Sequence, residues 1–194
     1  MSRKRESPAK LAAGATGRRS IRFRGYDYSH SGAYFVTVCA ARRGPLFGGI
    51  SDGRVVENAN AKIVRDCWLD LPNHYPRVSL DVFVMMPDHM HGLIVLLDPY
   101  EAGLTSGADW AGSKPAPTDG GGAQHGLPEI VRALKTYSAR RINEARGTPG
   151  TPVWQRGYYE RIIRDERELD LTRKYIISNP RNWRTDRGHK QTHR

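Results

Sequence analysis

The chain has 194 residues, 38% of them apolar, and a formal net charge of +11, which suits one compact domain with its own core and leaves too little apolar sequence for two. No stretch approaches the roughly 20 apolar residues of a membrane span, and residues 1–20 lack the apolar segment of a secretory signal. Cys39 and Cys67 stand 28 residues apart without a C-x-x-C pattern, so no disulfide framework is expected, and a reduced, cytoplasmic chain is.

The charge lies at the two ends. Residues 1–24 carry +7 and residues 180–194 carry +4, leaving 18 basic and 18 acidic residues between them. A neutral body with basic arms suits a polyanion, because each arm can neutralise phosphates and release counterions. The plainer alternative is a pair of solvated tails.

Residues 1–20, rich in Lys, Arg, Ser, Gly and Ala without periodicity, read as a flexible arm. The β-branched and aromatic run at 33–40 predicts a strand. Gly44, Pro45, Gly48, Gly49 and Asp52-Gly53 mark turns, with a short hairpin expected across 46–56. Asn58 is placed to cap a helix through Ile63, Val64, Trp68 and Leu71 that stops before Pro72. A second strand follows at 78–85, where Leu80, Val82 and Val84 alternate with Ser79, Asp81 and Phe83. Pro87-Asp88 turns the chain into a third strand, 89–97, whose apolar run at 93–97 predicts a central position buried on both faces.

Residues 101–126, with seven Gly and two Pro, read as a mobile insertion. Pro128 opens a basic amphipathic helix, with Ile130, Leu134, Tyr137 and Ile142 expected on its buried side. A fourth strand falls at 159–163, and Asp165 caps a last helix, 166–178, expected to stop at Asn179-Pro180. The order β-α-β-β-α-β-α predicts a ferredoxin-like α+β fold, an antiparallel sheet packed with helices.

Two short patterns carry chemistry. In Met86-Pro87-Asp88-His89-Met90-His91, residues two apart on a strand share a face, so His89 and His91 present adjacent imidazoles, a common start for a divalent-metal site. Near the end of the last helix, Tyr175 and Asn179 stand four apart and share a helical face. A tyrosine hydroxyl is a competent nucleophile, and an Asn amide oxygen is a third, hard donor. Each pattern alone is more often ordinary surface or packing. Together they suit phosphodiester transesterification: a divalent ion on His89, His91 and Asn179 as Lewis acid, and Tyr175 attacking in line to leave a 5′-phosphotyrosine and a free 3′-hydroxyl. Lys114 and its Gly-rich surroundings lack the spacing of a phosphate-binding loop.

The run MPDHMHG, followed by VWQRGYYERIIRDE and YIISNPRNW, resembles the insertion-sequence-200-like transposases. More narrowly it is similar to the REP-associated tyrosine transposases of the HUH superfamily of single-strand DNA nucleases. The resemblance spans about residues 19–183. It implies the HUH endonuclease version of the ferredoxin-like fold, Mg²⁺ or Mn²⁺ on His89 and His91, Asn179 as a further ligand, and Tyr175 as the helical nucleophile. Arg161 stands where many relatives would carry His.

The organisation expected is a basic arm, 1–20, a catalytic domain, 21–183, interrupted by the insertion 101–126, and a basic tail, 184–194. Single-stranded or hairpin DNA is the expected partner, cut and rejoined at palindromic repeats, with homodimer and monomer both compatible. Arg18, Arg19, Arg22, Arg132, Lys135, Arg156 and Arg181 are the candidate DNA contacts. Trp154, Tyr158, Tyr159 and Trp183, interleaved with arginines, are weaker candidates for base stacking, and Asp88 is a weaker candidate for orienting a ligand. The rival readings are a non-catalytic binder of hairpin nucleic acid and a metal-dependent hydrolase in which water attacks.

Overall fold

A computed structural model of the protein describes residues 26–42, 44–99, 102–103 and 125–186. The arm with Arg18, Arg19 and Arg22, most of the insertion, and the tail from residue 187 onward lie outside the described residues.

The elements are β1 (Gly32–Cys39), β2 (Gly48–Ser51), β3 (Arg54–Glu57), α1 (Ala59–Leu69), α2 (Leu71–His74), β4 (Val78–Met85), β5 (His89–Leu96), α3 (Leu127–Arg146), β6 (Tyr159–Ile163) and α4 (Glu166–Asp186). The main sheet runs β4-β5-β1-β6 with every neighbouring pair antiparallel, and β2–β3 is a separate hairpin. With the hairpin set aside, this is the ferredoxin-like α+β arrangement.

Local chemistry explains the boundaries. Asp52 and Gly53 both take positive φ, 51° and 69°, the two-residue turn whose twist matches a hairpin. The Asn58 side chain accepts from Ala61 N at 3.1 Å and starts α1, filling one of the donors that a helix start leaves open. Gly147, left-handed at φ 61°, closes α3. Asp165 Oδ1 accepts from Glu168 N at 2.7 Å while Glu168 Oε2 accepts from Arg164 N at 3.0 Å, a reciprocal cap that starts α4.

Each sheet face has its own cover. Gly92 lies under the Trp68 indole of α1, so close that a Cβ there would sit 2.4 Å from Trp68 Cη2. Strand alternation then puts Met90, Ile94 and Leu96 on that side, where they join one buried cluster with Tyr34, Val36 and Leu134. The opposite face, carrying His89, His91 and Leu93, is covered by α4. β5 is central and buried along most of its length, as its apolar run predicts.

Four local expectations are corrected. In β4, a register irregularity between Leu80 and Phe83 swaps the alternation; Phe83 faces the core and stacks on Trp68 at 5.1 Å, because a bulge adds one residue to the strand. In α3, Tyr137 is 58% exposed and Ser138 takes the buried position, in the stripe set by Leu127, Ile130, Val131, Leu134 and Ile142. Leu71 and Pro72 belong to α2, a further short helix in which Pro occupies the first turn. Finally, α4 does not stop at Asn179-Pro180 but continues through Pro180 to Asp186. The proline removes one backbone hydrogen bond and opposes the helix, yet Ile176, Asn179 and Pro180 are all buried. Packing of that turn on the sheet outweighs the local preference.

Candidate metal and tyrosine site

The turn into β5 is held by backbone hydrogen bonds on three sides: Met86 N to His89 O at 2.8 Å, Phe47 N to Pro87 O at 3.0 Å, and Ala40 N to Asp88 O at 2.8 Å. This fixes where His89 begins the strand, and the period of two brings His91 to the same face. Their Nε2 atoms are 3.0 Å apart.

Both rings are held from behind. His89 Nδ1 lies 2.7 Å from Asp88 Oδ1; the carboxylate can only accept, so this nitrogen carries the proton and donates. His91 Nδ1 lies 2.8 Å from Thr37 Oγ1. When it donates to that hydroxyl, the two Nε2 lone pairs converge. Two nitrogens on one ion take about this separation when metal–nitrogen bonds of about 2.1 Å meet near a right angle. Burial, and then the neighbouring His89, push the His91 pKa down to about 3, so its imidazole is neutral, the form that a metal requires.

Helix α4 lies across this face. Arg173 donates from Nε and Nη2 to Asp81 Oδ2 on β4, at 2.9 and 2.6 Å, and so sets the rotation of the helix. The Tyr175 ring meets His91 at 5.4 Å and Phe35 at 5.9 Å, and the Trp183 ring meets His89 at 5.7 Å. Asn179 lies one turn from each on the same helical face. It is 2% exposed, and its Oδ1 is buried without a hydrogen-bond partner. An orphaned buried acceptor typically costs about 1–3 kcal/mol, unless something outside the protein satisfies it. Among the described residues, no cluster of three or more His, Cys, Asp or Glu side chains could hold a metal. The two imidazoles, and the unpartnered amide oxygen on the helix that crosses them, are donors of the kind that could hold a divalent cation. Tyr175, 48% exposed, borders it in open solvent.

The candidate DNA contacts are dispersed. Arg132, exposed on α3, is in the layer opposite the histidines. The Lys135 ammonium donates to the carbonyls of Gln155, Arg156 and Gly157 at 2.7, 3.2 and 3.0 Å, which ties down the loop that presents Arg156. Arg181 is exposed on α4 and its side chain abuts the hairpin turn at Gly53. Sequence reasoning missed Thr37 as the residue behind His91. The only signal was a polar side chain within an apolar strand, and its partner is 54 residues away.

No protein-family model matches the chain. An uncharacterized protein of Haemophilus influenzae is 35% identical over 180 residues, covering 91% of this chain and 96% of its own length. The chain belongs to one family with that protein. Among solved structures, a REP-associated tyrosine transposase bound to a REP hairpin is similar with a TM-score of 0.53 and 20% identity, over 82% of this chain and 72% of the other. The two share a fold.

Proposed function

We propose that the protein is a transposase-type nuclease that cuts and rejoins single-stranded DNA beside hairpin repeats, with Tyr175 as nucleophile and Mg²⁺ or Mn²⁺ on His89, His91 and Asn179. One observation carries the reading: two tethered imidazoles with Nε2 atoms 3.0 Å apart lie under the helical face that also bears a buried, unpartnered Asn179 oxygen and the exposed Tyr175. A non-catalytic binder has no use for that combination. The shared fold with a hairpin-bound transposase supports the choice of substrate.

A divalent cation held by His89, His91 and Asn179 would supply Lewis acidity to the phosphate oxygens as charge develops on them. Asp88 and Thr37 hold the two imidazoles in the orientation that leaves both Nε2 atoms free. Tyr175 attacks phosphorus: its phenolic oxygen forms a bond to the phosphate, the bond to the 3′ oxygen breaks, and the phenolic proton passes through solvent to the departing 3′-hydroxyl. The product is a 5′-phosphotyrosine, and a 3′-hydroxyl from another strand can reverse the step without ATP. Tyr175 is exposed enough for a strand to reach it, while packing against Phe35 and His91 restricts its ring.

The test is a labelled hairpin with an unpaired flank, incubated with the protein and Mn²⁺ or Mg²⁺ and resolved on a denaturing gel. A slow-migrating covalent species is expected with metal and not with chelator, and His89→Ala abolishes it. An His89→Ala variant that cleaves at the wild-type rate contradicts the metal assignment; cleavage without any covalent species favours attack by water.

A further inference from the structure

Four aromatic residues stand among arginines in the last third of the chain, and the structure separates them. Trp154 is buried, stacks on Phe47 at 4.8 Å and donates to Ser138 Oγ at 2.9 Å. Tyr158 packs partly buried against the core, and Trp183 lies against His89. Tyr159 is 41% exposed. Its register is informative: Tyr159 pairs with Thr37, and Thr37 pairs with His91. One row across the sheet therefore runs His91, Thr37, Tyr159, all facing the α4 side, with the backbones of the outer two about 10 Å apart at the usual strand spacing. β6 is an edge strand, so among the described residues no further strand of the sheet flanks Tyr159.

The surroundings favour a ligand with a flat face, and the cation nearest along the strand is shared with a carboxylate. Arg161 lies two residues along the same face of β6, its side chain 70% exposed and its guanidinium 2.6 Å from Glu168. The loop that leads into β6 is braced by Lys135 through the three carbonyls of Gln155, Arg156 and Gly157, which limits movement of the strand's start. An exposed ring on a braced strand edge, in the row of the histidine site and beside an arginine, has the features of a base-stacking platform.

We infer that Tyr159 is the platform on which an unpaired base stacks, one or two nucleotides from the phosphate that Tyr175 attacks. This inference rests on the reading of the site as a single-strand DNA nuclease. Stacking needs the ring and not the hydroxyl, so it predicts a different mutational pattern from that of a nucleophile.

The test uses the full chain carrying Tyr175→Phe, which on the proposed function should bind without turnover, and a hairpin oligonucleotide with 2-aminopurine placed in turn at each unpaired flank position. Adding Tyr159→Ala should weaken binding roughly tenfold and remove the fluorescence quench at one position, whereas Tyr159→Phe restores both. Unchanged affinity and quench in Tyr159→Ala, or an equal loss in Tyr159→Phe, overturns the platform. If the otherwise unaltered protein forms a covalent adduct in either case, the nuclease reading stands by itself. If it neither binds the oligonucleotide nor forms an adduct, both proposals fall.

Discussion

The Thr37 hydroxyl oxygen lies 2.8 Å from Nδ1 of His91, a bond between side chains of the neighbouring strands β1 and β5. It fixes the ring of a buried histidine and determines which of its nitrogens is free. A histidine that binds metal usually depends on such a partner, and losing one typically lowers metal affinity about 10- to 100-fold. Thr37→Val keeps the shape and removes the hydroxyl. Titration calorimetry with Mn²⁺ should show a loss of that size in Thr37→Val and recovery in Thr37→Ser. Unchanged affinity in Thr37→Val would mean that packing alone positions His91.

Gly92, next to His91, is the point at which the Trp68 indole presses on the strand backbone. Trp68 is 1% exposed and stacked on Phe83, so it has little room to yield. Gly92→Ala should destabilise the fold by about 1–3 kcal/mol, the usual cost of overpacking a core, seen as a lower midpoint of urea unfolding. An unchanged midpoint would show that the indole does not rest on the strand as described.

How much of this was legible in the sequence depended on range. The period of two placed His89 and His91 on one face, and the helical period gave Tyr175 and Asn179 another; both follow from local geometry. The four strands of the main sheet were legible because each has an apolar or β-branched run, and the β2–β3 hairpin because turn residues mark it. What no spacing could show is that the two faces meet. That depends on the ion pair between Arg173 and Asp81, 92 residues apart, and on the contact of Tyr175 with His91 and Phe35. Phe83 was assigned the wrong face because a bulge leaves no sign in an alternating run. Pro180 was read as a stop because its local penalty is visible, whereas the burial that outweighs it is not. Trp154, a weaker candidate for base stacking by its arginine neighbours, is a core residue beside Phe47 and Ser138.

The basic arm gives a prediction independent of the site. Deleting residues 1–19 removes Arg3, Lys4, Arg5, Lys10, Arg18 and Arg19 together with Glu6. If the arm neutralises phosphates, single-stranded DNA binding should weaken and its dependence on the logarithm of salt concentration should flatten, since each phosphate contact adds to that slope. Fluorescence anisotropy at a series of salt concentrations measures both. The same slope with and without the arm would make it a passive tail.

The central claim is that Tyr175 forms the bond to DNA. The most direct measurement is mapping of the covalent adduct by mass spectrometry, after digestion of the protein with a labelled hairpin and Mn²⁺, in parallel with Tyr175→Phe. That change removes only the hydroxyl of a half-exposed ring, so the contacts with Phe35 and His91, and the stability, should be nearly retained. The account predicts a nucleotide on the peptide that contains Tyr175, and for Tyr175→Phe no adduct and no cleavage while hairpin binding persists. An adduct that survives in Tyr175→Phe, or that maps to Tyr159 or any other residue, would contradict it.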